Sequence, residues 1–131
     1  MQMELKPWQQ WGFKPELESK NHEERLKGKL ADMESTKQLV DLISEVYEPG
    51  MKVLDVGCNV GHYLKGIRKN FPLLEYTGVD PYDYYITIAN EEFSSDTHAK
   101  FEIRDIFEPL YPDDPYDIVF CCNVIVHLPD F

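Results

Sequence analysis

The chain has 131 residues, 43% of them hydrophobic and 28% charged, which is typical of one compact globular domain. Its net charge of -11 arises entirely within residues 73–131, which hold 13 acidic and two basic side chains, so nucleic acid is disfavoured as the main partner. No apolar run approaches the roughly 20 residues that cross a bilayer, and the amino terminus lacks the apolar core of a secretory signal. We therefore expect a cytoplasmic protein that does not enter the membrane.

The amino-terminal part of the chain shows no clean periodicity. It contains Trp8, Trp11 and Phe13, followed by a stretch of mixed charge. We predict that residues 1–34 form a partly helical arm that packs its aromatic side chains on the domain, and the alternative is a lid over a ligand pocket. The remaining residues, 35–131, would then form the domain itself.

An amphipathic helix is predicted at the start of that domain. Ser35 and Gln38 have the spacing of a capping box, in which Ser35 would be the N-cap. Pro49 and Gly50 would end the helix. The apolar stripe that would face the core consists of Leu39, Val40, Ile43, Val46 and Tyr47.

Strand-like and helix-like patterns alternate through the rest of the chain. The predicted strands cover residues 51–56, 74–79, 100–106 and 117–126, and the predicted helices cover residues 63–71 and 82–93. The run from Asp117 to Val126 is almost continuously apolar, which predicts a strand buried on both faces. This alternation predicts an α/β fold, a Rossmann-like doubly wound parallel sheet with helices on both faces.

The number and placement of the cysteines argue against a disulfide framework. There are three, Cys58, Cys121 and Cys122, and the last two are neighbours in one predicted strand, so their side chains point to opposite faces. The chain also lacks the C-x-x-C and H-x-x-x-H spacings of protein metal sites. We therefore predict no bound metal.

The candidate ligand site is the glycine-containing turn that follows the first predicted strand. That strand carries Asp55 near its end, and the turn after it contains Gly57, Asn59 and Gly61. Nineteen residues after Gly61, the second predicted strand ends at Asp80. Because the carboxyl ends of parallel strands meet at one edge of the sheet, these residues are placed to form a nucleoside pocket.

The residues that depart from the dinucleotide fingerprint indicate the type of nucleoside. Asn59 and His62 occupy positions where G-x-G-x-x-G requires glycine, which disfavours a pyrophosphate and hence an NAD-dependent oxidoreductase. Asn59 still tolerates the left-handed backbone conformation that a tight turn requires. The carboxylates of Asp55, Asp80 and Asp105 suit the hydroxyl and amine donors and the positive charges of S-adenosylmethionine, whereas they would repel a pyrophosphate.

From about Ser35 onward, the sequence resembles the class I S-adenosylmethionine-dependent methyltransferases. The stretches that carry the resemblance are Val53 to Gly61, Tyr76 to Asp80, Asp105-Ile106 and Tyr116 to Asn123. It implies that the turn surrounds the methionine part of the cofactor, that Asp80 binds the ribose hydroxyls, and that Asp105 reads the adenine amine. The cofactor-binding residues that it implies are Asp55, Gly57, Cys58, Asn59, Gly61, Asp80, Tyr82, Asp105, Ile106 and Asn123.

The resemblance implies transfer of a methyl group from S-adenosylmethionine to an acceptor, and it favours a small-molecule acceptor. The family's Asn/Asp-Pro-Pro-aromatic motif is absent at Asn123, which disfavours base amines and glutamine amides as acceptors. His127 is a candidate general base, although a loop histidine without a catalytic role is the commoner outcome. His22, His62 and His98 are predicted to be surface residues. The alternative class is a catalytically silent S-adenosylmethionine-binding or interaction module.

One departure from the family concerns the extent of the sheet. The family's sheet continues beyond the fourth strand, whereas this sequence ends soon after it, at Phe131. We therefore expect a sheet in the order 3-2-1-4 that is truncated after the fourth strand. That apolar strand would lie at an open edge, where backbone groups can pair with another chain. The expectation is either that the sequence is a fragment of a longer protein, or that a homodimer or a partner chain covers this edge.

Overall fold

The computed structural model describes residues 15–105 and 115–122. Four parallel strands form one sheet in the order β3-β2-β1-β4, which confirms the predicted strand order. The strands are β1 (Lys52–Val56), β2 (Glu75–Asp80), β3 (Ala99–Ile103) and β4 (Ile118–Phe120). The helices are α1 (Pro15–Glu18), α2 (Lys20–Leu26), α3 (Glu34–Val46), α4 (His62–Arg68) and α5 (Asp83–Glu92).

Because all four strands run in the same direction, their carboxyl ends meet at one edge of the sheet. Near that edge, Asp55 of β1 is opposite Gly78 of β2 and Phe120 of β4, and Gly78 is opposite Phe101 of β3. We call this edge the carboxyl edge and the opposite one the amino edge. The carboxyl edge comprises residues 55–62, 80–83 and 104–105, and the amino edge comprises residues 50–52, 68–75 and 96–99.

The main core lies on one face of the sheet. Helices α3, α4 and α5 contribute Ile43, Leu64 and Ile86 to it, and β2 and β3 contribute Tyr76 and Phe101. Within the part of the chain that the structure describes, the helix residues of this core all pack on that face. A smaller cluster on the other face contains Leu54, Val56, Val79, Tyr116 and Cys121.

The start of α3 differs from the prediction. The helix begins at Glu34 with Met33 as its N-cap, and no side chain caps it, so the predicted capping box at Ser35 and Gln38 is wrong. The Ser35 hydroxyl instead lies 3.0 Å from the Tyr63 hydroxyl of α4. The Ser35 hydroxyl, which the local sequence pattern assigns to the N-cap, is therefore engaged in a contact between α3 and α4 instead.

The fourth strand is less buried than the sequence predicts. Its described part is short, and Val119 at its centre is 59% exposed, so burial on both faces is wrong at this position. The reason is its place in the sheet, because within the described residues β4 pairs only with β1. Residues 123–126 of the predicted strand lie outside the described residues.

The helix α2 packs on the domain through one apolar side chain. Leu26 is buried in a cluster with Val60, in the turn after β1, and with Tyr85 of α5. The aromatic side chains on which the predicted arm depends, Trp8, Trp11 and Phe13, lie outside the described residues. Among the helices that are described, none has the length and apolar character needed to cross a membrane.

Candidate functional site

The turn between β1 and α4 depends on three residues with left-handed backbone. Gly57, Asn59 and Gly61 have φ angles of 74°, 52° and 84°, so Asn59 adopts the conformation that its residue type tolerates. The Gly57 and Cys58 amides donate hydrogen bonds of 2.8 and 3.0 Å to the carbonyl of Val79. The turn is therefore fixed to the carboxyl end of β2.

Two glycines allow the turn to approach the sheet closely. A Cβ atom at Gly61 would lie 2.9 Å from both the Phe93 and Phe101 rings, and one at Gly78 would lie 2.9 Å from the Cys58 sulfur. Cys58 is fully buried, and burial raises the pKa of its thiol well above the usual value. Cys58 therefore fills space beneath the turn. No local sequence pattern indicates the role of Gly78, because that role depends on the register of β2 against its neighbours.

Asp80 joins the glycine turn to the start of α5. Its Oδ2 accepts a 3.0 Å hydrogen bond from the Asn59 amide, and its Oδ1 accepts a 3.1 Å bond from the Tyr82 amide. The side chain is 6% exposed. Burial raises the pKa of Asp80 to about 6, although the two amide hydrogen bonds oppose that shift. Each carboxylate oxygen retains a further lone pair for a ligand hydroxyl.

Asp55 lies deeper, beneath the glycine turn. It is 1% exposed, and its Oδ2 accepts a 2.5 Å hydrogen bond from the Tyr76 hydroxyl. Burial raises the pKa of Asp55 to about 7; the tyrosine hydrogen bond opposes that shift, and the charge of Asp80 adds to it. Asp55 was predicted as a site residue from its place near the end of β1, whereas its partner Tyr76 was not predicted.

The third predicted acid reaches the same edge. Asp105 is half-buried just beyond β3, and the neighbouring Arg104 amide donates a 3.1 Å hydrogen bond to the Asp80 carbonyl. Tyr82, the N-cap of α5, is also half-buried there. The structure therefore brings eight predicted site residues to one edge, whereas Ile106, Asn123 and His127 lie outside the described residues.

A pair of histidines joins α2 to the glycine turn. The rings of His22 and His62 stack with centroids 3.7 Å apart, and Arg25 Nη1 lies 3.0 Å from His22 Nδ1. His62 is 6% exposed, so its predicted surface position is wrong, because α2 covers it. Burial lowers the pKa of His22 to about 4 and that of His62 well below its usual value, with the Arg25 charge adding to both shifts.

The site chemistry follows from these contacts. Two buried carboxylates are held by neutral donors, a phenol and backbone amides, beside the glycine turn. Such an arrangement suits hydroxyl donors and positive charge. Across residues 15–105 and 115–122, no three His, Cys, Asp or Glu side chains are grouped so that they could hold a metal ion.

Comparison with known proteins gives a family for this fold and site. A sequence model for a methyltransferase domain matches residues 23–131. The sheet order and the glycine turn place the chain in the class I S-adenosylmethionine-dependent methyltransferase fold, and the match covers most of the chain. The chain therefore belongs to the methyltransferase domain family.

Individual relatives agree with that family. Phosphoethanolamine N-methyltransferase 3 of Arabidopsis thaliana is 32% identical over 99 residues, which cover 75% of this chain and 20% of that protein. Cycloartenol-C-24-methyltransferase 1 of Oryza sativa subsp. japonica is 35% identical over 86 residues, which cover 63% of this chain and 25% of that protein. The chain thus spans a quarter or less of the length of either relative.

A solved structure agrees with the fold. The plantazolicin methyltransferase BpumL in complex with S-adenosylhomocysteine superposes with a TM-score of 0.55 at 20% sequence identity. The match covers 86% of this chain and 40% of that one. This likeness concerns the fold of the domain.

Proposed function

We propose that this chain is the cofactor-binding part of an S-adenosylmethionine-dependent methyltransferase that acts on a small molecule. The observation that carries the proposal is the position of Asp80, which accepts hydrogen bonds from Asn59 in the glycine turn and from Tyr82 at the start of α5. A ribose placed at the carboxyl edge would meet a carboxylate that is already oriented by two backbone amides.

The other site residues have complementary roles in this proposal. Asp55 would face the positively charged methionine part, around which the turn from Gly57 to Gly61 would wrap. Tyr82 would lie near the adenine, and Asp105 would accept a hydrogen bond from its amine. Asn123 and Ile106 belong to the proposed set by family resemblance, and both lie outside the described residues.

The cofactor, when bound, supplies a methyl group that is already activated by the sulfonium. The work left to the protein is to bind the cofactor, to align the acceptor with the methyl carbon, and to exclude water. The carboxylates hold the hydroxyl and ammonium donors, and the buried turn fixes the cofactor's position. A general base is required only for an acceptor that arrives protonated, and His127 is the candidate for that role.

The proposed acceptor class rests on the names of the relatives. Phosphoethanolamine N-methyltransferase 3 and cycloartenol-C-24-methyltransferase 1 are named for small molecules of very different polarity. The small-molecule class is therefore the extent of the proposal. We also propose a cytoplasmic location, and a second copy or partner chain that covers β4.

The experiment that tests the proposal is a calorimetric titration of S-adenosylhomocysteine into the wild-type chain and two variants. Asp80→Ala should weaken binding by about 100-fold or more. The reason is that the two ribose hydroxyls would lose the charged carboxylate that accepts their hydrogen bonds in this proposal. Asp83→Ala is the matched control, since Asp83 is an exposed acid close by on α5. It should bind within about threefold of wild type, as expected for an exposed residue.

The same titration can contradict the proposal. A wild-type chain that is folded by circular dichroism but does not bind S-adenosylhomocysteine would refute it. Equal binding by Asp80→Ala and Asp83→Ala would refute the assigned site. NADH serves as the comparison ligand, and binding of NADH alone would favour the oxidoreductase alternative.

A further inference from the structure

Asp55 and Tyr76 form a fully buried pair beneath the glycine turn. The Tyr76 hydroxyl donates a 2.5 Å hydrogen bond to Asp55 Oδ2, and the two side chains are 1% and 2% exposed. Both lie on the same face of the sheet, because Tyr76 is opposite Val53 and Asp55 is opposite Gly78. The contact is therefore built into the register of β1 against β2.

The Tyr76 ring is held in place by the core around it. Its centroid lies 5.5 Å from that of Phe101, which in turn stacks on Phe93 of the segment after α5. Close packing of this kind leaves a buried aromatic ring in one orientation. The hydroxyl thus has a fixed position, and the carboxylate that it contacts acquires a fixed position too.

We propose that Tyr76 is a positioning residue, which orients the Asp55 carboxylate beneath the glycine turn and favours its ionised form for pairing with a cationic ligand. The proposal rests on the function proposed above, in which that ligand is the methionine part of S-adenosylmethionine. Tyr76 acts through Asp55 in this proposal, because its hydroxyl is bonded to that carboxylate.

The need for such a residue follows from the charge environment. Burial raises the pKa of Asp55 to about 7, and the hydrogen bond from Tyr76 is the contact that opposes this shift. The charge of Asp80 in β2 also raises the pKa of Asp55. The charge of Asp55 in turn raises the pKa values of four neighbouring groups, which are Cys58 in the turn, Tyr63 in α4, and Cys121 and Cys122 after β4.

Most of those neighbours stay neutral near neutral pH. The pKa values of Cys58, Cys121 and Cys122 are raised by burial, and that of Tyr63 is raised to about 12. Asp80, whose pKa is raised to about 6, is the neighbour that titrates in this range. A bound ammonium would favour ionised Asp55, so ligand binding would release the Asp55 proton to solvent.

The test is the pH dependence of S-adenosylhomocysteine binding by wild type and Tyr76→Phe. Wild-type affinity should rise as the pH rises toward the pKa of Asp55, about 7. Loss of the hydroxyl should move the Asp55 step upward by about one pH unit, which weakens binding by about tenfold below the step and much less above it.

Tyr63→Phe is the matched control. It removes a buried hydroxyl that contacts Ser35 at 3.0 Å, from a ring in the same core cluster. Its binding profile should keep the wild-type midpoint. A Tyr76→Phe profile that is displaced by the same factor at every pH would show a purely structural role and would overturn the proposal.

A second measurement needs no ligand, and its first part needs no variant. In the wild-type chain, ¹³C resonances of Asp55 Cγ and Tyr76 Cζ should titrate with a common midpoint, and in Tyr76→Phe the Asp55 midpoint should rise. Separate midpoints would overturn the proposal even where the variant does not fold. Failure of the wild-type chain to bind would instead count against the proposed function, so the two failures are distinguishable.

Discussion

The carboxyl edge of the sheet holds Asp55 and Asp80 with neutral donors, whereas the amino edge pairs Asp96 with a cation. Asp55 and Asp80 are bonded to a phenol and to backbone amides. At the amino edge, Arg68 Nε lies 2.6 Å from Asp96 Oδ2, with both side chains mostly buried. The negative charge of the first edge is thus left available to a ligand, and that of the second is neutralised.

Arg68 also shows how the amino edge is stabilised. Its Nη1 donates hydrogen bonds of 3.0 and 2.6 Å to the carbonyls of Phe71 and Leu74, which lie between α4 and β2. One side chain therefore fixes the end of α4, the start of β2 and the approach to β3. This difference between the two edges predicts that substitutions at the amino edge change the unfolding free energy without changing ligand affinity. Substitutions at the carboxyl edge should change both.

The largest effect on stability is expected from Arg68→Met. It keeps the apolar stem but leaves the Asp96 charge and two carbonyls without their partner, and it should lower the unfolding free energy by about 3 kcal/mol or more. Lys37→Met is the control, because its pair with Glu34 is 65% and 75% exposed and should contribute less than about 1 kcal/mol. Urea unfolding measures both changes.

The comparison also requires that folded Arg68→Met bind S-adenosylhomocysteine like the wild-type chain. An affinity loss that persists at low temperature, where the variant is folded, would show that the two edges are not separable. A stability change as small as that of Lys37→Met would show that the buried ion pair contributes little.

A smaller effect is expected from Gly61→Ala at the carboxyl edge. The added methyl would face left-handed strain at φ 84° and a clash with two phenylalanine rings, with a cost of about 3 kcal/mol in total. Gly50→Ala is the control, since Gly50 has a similar φ of 90° and no atom within 4 Å of the added carbon. It should cost only about 1–2 kcal/mol.

The difference between the two glycine variants isolates the close packing of the turn. Thermal unfolding gives that difference, and calorimetry should show weaker ligand binding for Gly61→Ala only. Equal destabilisation of the two variants would mean that disturbing the close approach of the turn to Phe101 does not lower the free energy of unfolding.

The smallest effect is expected at the histidine stack. His22 has a pKa lowered to about 4, so the folded state binds fewer protons than the unfolded state, and stability should fall as the pH falls from about 6.5 to about 4. His22→Phe keeps a ring on His62 and removes the titrating group. As the pH falls over that range, the unfolding free energy of the wild-type chain should decrease by about 1 kcal/mol more than that of His22→Phe. A difference between the two proteins that stays constant with pH would contradict this account.

The sequence pattern predicted the alternating strands and the placement of Asp80 at a strand end, because strand ends and glycine turns are local signals. The strand order was predicted from the resemblance to the family, and the structure confirms it. It could not predict Tyr76, because the bond to Asp55 joins residues 21 positions apart and depends on strand register. The burial of His62 depends on α2 packing over the turn, which no local pattern encodes. Ser35 was misassigned for the same reason, since its partner Tyr63 lies on another helix.

The central claim is that the carboxyl edge binds the cofactor, and amide hydrogen exchange tests it most directly. With saturating S-adenosylhomocysteine, exchange should slow in residues 57–62 and 80–83, where the Asn59 and Tyr82 amides bond to Asp80. Exchange in residues 68–75 and 96–99, at the amino edge, should not change. Protection confined to the amino edge, or absent from both edges, would contradict the account.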